Sequence, residues 1–271
     1  MELFLQPGST ENDGESIYWE LAAAGDDDDR PVVVLSHGAG GSHAIWYQQI
    51  PALGQHYRVL TWDSRGFGSS SNRNQALSAP AAASDLAAVL DQLEIHTAHF
   101  VGQSLGGWHT SAFAQLEPQR ILSLVYADTI GGLWTPALHA AYADLIRDRP
   151  FARPGPQPMG SHPALWAGTA ARNPAHAFLY EALGSFHQPP MDKIGATIEW
   201  SVGHEAIDAL DVPVLFIAGE HDSLFPPASL AESCGLLANS RYVQIDDAGH
   251  SPYFEQPEVW NEIVTTFLNQ V

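Results

Sequence analysis

The sequence predicts an α/β protein built on a mainly parallel sheet with helices on both faces. Three observations carry that expectation. Short apolar runs at 32–36, 57–62, 97–103, 122–127 and 212–218 have the character of strands buried on both sides. They alternate with helix-like segments such as 80–93 and 227–237, which is the spacing of parallel strands joined by crossovers. Several of the runs end in loops of Gly, Ser, Asp and His, and in such sheets ligands bind beyond the carboxyl ends of the strands.

Taken in order, 2–6 and 15–21 read as two short strands, the second alternating through Ile17, Trp19 and Leu21. Turn chemistry fills the interval from Pro7-Gly8-Ser9 to Asn12-Asp13-Gly14. The four aspartates from Asp26 to Asp29 lack the spaced ligands and glutamate of a calcium loop, so they read as a solvated turn. The run 32–36 leads into His37-Gly38-Ala39-Gly40-Gly41-Ser42 and a helix reaching Leu53. The next run, 57–62, ends in Asp63-Ser64-Arg65-Gly66-Phe67-Gly68-Ser69. Segment 80–93 is a helix rich in Ala and Leu, followed by strand 97–103, helix 108–116 and strand 122–127, which stops at Asp128.

From 131 to about 204 the composition changes. Nine of the 19 prolines lie between Pro136 and Pro190; short helices at 135–146 and 174–183 are easily drawn there, and strands are not. The segment reads as a helical insertion. It divides the chain into a first core part, 1–130, an inserted part, 131–207, and a second core part, 208–271. Strand 212–218, helix 227–237, strand 242–245 and a closing helix at 257–268 complete the pattern.

Composition excludes several function classes. A chain of 271 residues has room for one large α/β domain or two small ones. Its net charge of −20, from 31 acidic against 11 basic residues, leaves no basic patch for nucleic acid and opposes binding to an anionic membrane. Lys193 is the only lysine, so there is no G-x-x-x-x-G-K-[ST] phosphate loop, and a Schiff base would have to form on that residue. Cys234 is the only cysteine, which rules out an intrachain disulfide and a cysteine metal site. Residues 1–12 lack a signal-peptide pattern, and no apolar run approaches membrane-spanning length, so a cytoplasmic protein is expected.

The candidate chemistry centres on Gly102-Gln103-Ser104-Leu105-Gly106, a G-x-S-x-G set between a strand and a helix. A serine there sits on a sharp, strained turn, where glycines on either side keep its hydroxyl clear. The helix that follows aims N–H groups and a partial positive charge at any nearby anion. A serine hydroxyl becomes a competent nucleophile only with a base, an acid to hold that base, and donors for the oxyanion. Such parts occur in the order Ser104, Asp222, His250. The oxyanion donors would be the N–H of Leu105 and one from the loop after His37-Gly38, with Ala39 first and Gly40 next.

Over nearly its full length the chain resembles the α/β-hydrolase superfamily. The resemblance rests on the His37-Gly38 loop, Asp63-x-Arg65-Gly66-x-Gly68-x-Ser70, the Gly102–Gly106 elbow, Gly219-x-x-Asp222 and Gly249-His250, in that order. It implies an eight-stranded sheet and a helical cap inserted after the sixth strand, where the proline-rich segment falls. Some relatives carry the acid at the end of the sixth strand, which makes Asp128 the alternative to Asp222. His37, Asp63 and Arg65 read as loop-bracing residues, Glu220 and His221 as turn-shaping, the pair His96 and His99 as incidental, and Cys234 as packing. Trp134, Trp166 and Trp200 either line an apolar acyl pocket or form the insertion's own core.

The expected function is a serine hydrolase acting on a small, fairly apolar carboxylic ester or lactone through an acyl-enzyme, with no cofactor and no metal. Two alternatives remain open at this level. The same triad serves carbon–carbon bond hydrolases and cofactor-free haloperoxidases or perhydrolases, and some members of this fold are small-molecule receptors with slow turnover. Substrate identity and oligomeric state are not written in motifs of this kind.

Overall fold

The computed structural model describes residues 2–25, 28–148, 158, 160–185, 188–190 and 193–271. Eight strands form one sheet: β1 Phe4–Asn12, β2 Glu15–Ala23, β3 Val32–Ser36, β4 Arg58–Trp62, β5 Ala98–Gln103, β6 Ile121–Ala127, β7 Val214–Gly219 and β8 Ser240–Ile245. Their order across the sheet is β1-β2-β4-β3-β5-β6-β7-β8. The pairs from β4 to β8 are parallel, while β2 runs antiparallel to both β1 and β4.

Strands β3, β5 and β7 are buried along their whole lengths, which fits their mainly apolar sequences. Alternate residues feed opposite faces. Val34, Phe100, Leu124 and Phe216 enter one apolar cluster, whereas Val33, Val101, Val125 and Leu215 enter the other. Helix Ala79–Gln92 covers the first cluster and starts at Ser78, whose Oγ accepts the Ala81 N–H at 3.2 Å. Helix Pro257–Leu268 covers the second with Trp260, Val264 and Phe267.

The first strand differs from the expectation of a short 2–6 segment followed by a long turn. β1 continues through Pro7-Gly8-Ser9, and the turn is only Asp13-Gly14, with φ of 51° and 75°. Both residues sit in the left-handed region, as a two-residue hairpin requires. Pro7 is tolerated because β1 is an edge strand. Gly8 pairs with Trp19, and a Cβ on Gly8 would fall 2.3 Å from the indole. Of the aspartate run, Asp26 and Asp27 lie outside the described residues. Asp28 pairs with Arg30 at 2.5 Å, and that guanidinium holds its carboxyl well below the usual carboxylate range.

Between β6 and β7 the described residues form helices Pro136–Asp148, Thr169–Arg172, Pro174–Leu183, Gly195–Glu199 and His204–Asp208, and no strand. The segment leaves and rejoins the sheet at neighbouring strands, because β6 and β7 pair directly from Leu124↔Val214 to Ala127↔Ile217. Among the described residues no helix is long and apolar enough to cross a membrane.

Candidate active site

Ser104 follows β5 immediately and opens helix Leu105–Leu116, three residues earlier than the expected start at Trp108. Its φ of 48° and ψ of −119° are unfavourable for an L-residue and cost on the order of 1–3 kcal/mol. Two glycines make the turn possible. A Cβ on Gly106 would lie 2.1 Å from the Ser36 carbonyl oxygen, and one on Gly102 would lie 2.6 Å from the Gly106 carbonyl oxygen. The helix therefore presses against the end of β3 with no room for a methyl group.

The loop after β3 supplies the opposite wall. His37 is buried, and its Nε2 accepts the Ser64 N–H at 3.1 Å while Nδ1 bonds the Gly38 carbonyl at 2.8 Å. Only a neutral ring can accept at Nε2, and burial does hold this imidazole below its ordinary range. Gly38 leaves space for the Gln103 amide, since a Cβ there would sit 2.2 Å from Gln103 Oε1. Gln103 Nε2 in turn donates to the His250 carbonyl at 2.9 Å. The elbow, the β3 loop and the last loop are thus locked by one side chain. Gln103 occupies a variable position of the G-x-S-x-G pattern, so the motif alone did not single it out.

Asp222 lies in the turn Gly219-Glu220-His221-Asp222, closed by the Asp222 N–H on the Gly219 carbonyl at 3.0 Å. Its Oδ1 accepts the N–H groups of Leu224 and Phe225 at 2.8 and 2.9 Å. Its Oδ2 accepts from His250 Nδ1 at 2.8 Å. Both side chains are almost completely buried, and the Phe225 ring stacks on the imidazole with centroids 5.9 Å apart. With Nδ1 committed to Asp222, the free nitrogen of His250 is Nε2.

Ser104 and His250 line one cavity of about 510 Å³, together with Ala39 and Leu105. That volume is in the range of small-molecule sites. The Ser104 hydroxyl caps no backbone group of the helix it begins. Apolar side chains dominate the walls, among them Ile45, Leu105, Trp108, Ile194 and Phe225, while the 131–207 segment adds Tyr142, His162 and Glu181. Burial lowers the affinity of His162 for a proton, partly offset by Glu181. Of the tryptophans weighed from sequence, Trp166 and Trp200 do not line this cavity. Trp166 stacks on His221, and the Trp200 carbonyl accepts the Trp108 indole N–H at 3.1 Å. Trp134 borders a second cavity of about 100 Å³. The stacked pair Tyr142 and Phe225 lines both cavities.

Other expectations can be placed. Asp63 accepts the N–H groups of His43 and Ser69 at 2.6 and 2.7 Å, and Arg65 forms a buried two-pronged pair with Asp85 at 2.7 Å. Both brace loops. His99 is buried against Ser123, whereas His96 is exposed. Cys234 packs beside Ser240. The Glu220 carboxylate accepts the Asp247 N–H at 3.1 Å, and the His221 N–H donates to the Ala248 carbonyl at 2.8 Å, so both shape the turn.

Asp128 does not hold His250. Its Oδ1 accepts the Gly219 N–H at 2.9 Å. Burial, the Asp222 charge and more distantly Glu255 push its carboxyl well above the usual range. Asp128, Asp222 and His250 present three ligand-type atoms within 4.8 Å of one another. As a metal set they are unsuited, because His250 Nδ1 and Asp222 Oδ2 are already joined to each other. Glu255 was not foreseen. It accepts the N–H groups of Gly249 at 2.6 Å and Trp166 at 2.7 Å and the Thr169 hydroxyl, joining the inserted segment to the residue before His250.

A parallel sheet edged by an antiparallel hairpin, with a strained serine at the end of a central strand, is the architecture of the α/β hydrolases. The chain belongs to the alpha/beta hydrolase family, whose model matches residues 33–263. RutD of Stutzerimonas stutzeri, whose name assigns it to the carbamate hydrolases, is 31% identical over 255 residues, spanning 89% of this chain and 92% of that protein. The pimeloyl-[acyl-carrier protein] methyl ester esterase of Aeromonas hydrophila is 29% identical over 259 residues, spanning 88% and 95%. Among solved structures, a thermophilic esterase from Thermogutta terrifontis superposes with a TM-score of 0.77 at 25% identity, covering 98% of each chain.

Proposed function

We propose that the protein is a serine hydrolase that cleaves a small, fairly apolar carboxylic ester or lactone through an acyl-enzyme. The observation that carries this reading is the His250–Asp222 bond of 2.8 Å on the wall of the cavity that also exposes the strained Ser104. In this reading Ser104 attacks the carbonyl carbon, and His250 Nε2 takes the hydroxyl proton and delivers it to the leaving alcohol. Asp222 fixes the tautomer and stabilises the imidazolium. The N–H groups of Leu105 and Ala39 receive the oxyanion, each worth on the order of 3 kcal/mol in the transition state. Water then repeats the sequence on the acyl group, and no cofactor or metal takes part.

The segment 131–207 acts as a cap over the strand ends, and its Tyr142, His162 and Glu181 bound the substrate space. The apolar lining supports a small apolar acyl or alkyl group. The esterase names among the relatives agree with acyl transfer to water. A cytoplasmic setting and a freely diffusing small-molecule substrate complete the reading. Ser104→Ala tests it directly: p-nitrophenyl ester turnover and fluorophosphonate labelling are both expected to vanish while the circular dichroism spectrum stays the same. Labelling that survives the substitution refutes the assignment. A wild-type protein that labels but turns over no ester or lactone, while splitting a diketone, moves the reading to carbon–carbon hydrolysis.

A further inference from the structure

We propose that Asp128 is a positioning residue that keeps its proton and donates it to Asp222 Oδ2, holding in place the carboxylate that orients His250. The inference rests on the triad reading above and concerns a residue that acts on it only through Asp222.

A carboxylate offers about four acceptor directions, two on each oxygen. Both on Asp222 Oδ1 are occupied by the Leu224 and Phe225 N–H groups, and one on Oδ2 is occupied by His250 Nδ1. One direction is left, in a site without solvent access. Asp128 stands beside it with the complementary deficit. Its Oδ1 is satisfied by Gly219, but its Oδ2 is fully buried and has no hydrogen-bond partner. A neighbour is the Asp222 carboxylate, itself an acceptor: ligand-type atoms of Asp128, Asp222 and His250, one from each, lie within 4.8 Å of one another, and the Asp222 charge acts on Asp128.

Two neighbouring anions in an apolar enclosure repel, and an unpaired buried charge is expensive. One proton shared between them satisfies both orphan directions at once. It belongs on Asp128 because Asp222 has three donors favouring its anion, whereas Asp128 has one. The other titratable groups nearby push the same way: Glu255 adds negative charge, and the hydroxyls of Tyr180 and Tyr253 are neutral. With Gly219 on one oxygen and Asp222 on the other, Asp128 ties the end of β6 to the β7 turn that carries the triad acid.

Infrared difference spectroscopy of the intact protein at pH 7.5 tests the protonation directly. Wild type minus Asp128→Asn is expected to show the carbonyl stretch of a protonated carboxylic acid, and its absence overturns the proposal. Asp128→Asn keeps a neutral donor, so kcat and the acid limb of kcat/KM on a p-nitrophenyl ester are expected to match wild type. If Asp128 were instead an anion near the imidazole, the limb would move to lower pH by about a unit or more. Asp128→Leu removes the donor, and kcat is expected to fall on the order of tenfold with KM unchanged. A kcat equal to wild type in that variant removes the positioning role. The infrared readout does not need turnover, so a failure of the hydrolase reading, seen as no fluorophosphonate labelling of wild type, is distinguishable from a failure of this one.

Discussion

The loops at the ends of β5 and β7 and the helical segment between β6 and β7 are held in opposite ways. At the strand ends the groups that set the geometry are held by buried partners. Gln103 holds the His250 carbonyl, Asp222 holds His250 Nδ1 and two backbone N–H groups, and Gly106 leaves no gap against Ser36. Among the described residues, the inserted segment touches the core through separate, scattered fastenings. Glu255 reaches Trp166 and Thr169, Tyr180 meets the Ser251 hydroxyl at 2.9 Å, and Trp108 donates to the Ile198 and Trp200 carbonyls. On the reading proposed above, the reacting groups need sub-ångström placement, whereas a cap that admits the substrate tolerates looser attachment.

The sharpest way to break this contrast is Gly106→Ala. The new Cβ meets backbone, which cannot rotate away, so the elbow or β3 must shift. Steady-state ester kinetics are expected to show a fall in kcat of about 100-fold, the cost of a misplacement near 1 Å. A variant with wild-type kcat would show that the strand end has slack after all.

The second effect concerns stability of the core against acid. His99, in β5, is buried with its proton affinity lowered to about 4. Because its folded value lies below the unfolded value of about 6.5, the unfolded chain takes up the proton first as pH falls. The contribution is complete above about pH 6.5 and is lost progressively toward pH 4. Between pH 7 and pH 5 it amounts to about 2 kcal/mol. Urea titrations at the two pH values are expected to show a drop smaller by that amount in His99→Gln than in wild type.

A smaller loss is expected on releasing one fastening of the insertion. Glu255→Ala frees Gly249 on one side and Trp166 and Thr169 on the other. Its effect on kcat/KM is expected to be about tenfold, with protection of 160–172 from hydrogen exchange reduced and that of β5 unchanged. Equal loss of protection in β5 would mean that core and insertion open as one unit. The mildest change is Tyr142→Ala, which removes half of the Tyr142–Phe225 partition between the two cavities. A panel of p-nitrophenyl esters is expected to shift its optimum by two to four carbons toward longer acyl chains, at about threefold cost on the shortest ester.

How much of this was legible in the sequence differs along the same division. The buried strands, the serine elbow, and the pairing of Asp222 with His250 follow from local signals: mainly apolar runs, glycines with one steric reason, and a tight turn. Edge and long-range features did not. Pro7-Gly8 reads as a turn in isolation, and it becomes strand because β1 is an edge whose glycine is covered by Trp19. Asp128 reads as a rival to Asp222, since nothing local reveals that two carboxyl groups 94 positions apart come within 4.8 Å of each other. Glu255 and Gln103 act on partners far away in sequence and carry no motif of their own. The tryptophans of the insertion were ambiguous for the same reason, and the one that lines the cavity is Trp108, from the helix after the elbow.

Because β6 and β7 pair in parallel, the inserted segment leaves the carboxyl end of one strand and returns to the amino end of its neighbour. Its exposed turns can change in length while the β6–β7 register, from Leu124↔Val214 to Ala127↔Ile217, stays as it is. On the reading proposed above, new specificities would arise from changes in this one contiguous stretch, with Ser104, Asp222 and His250 left in place.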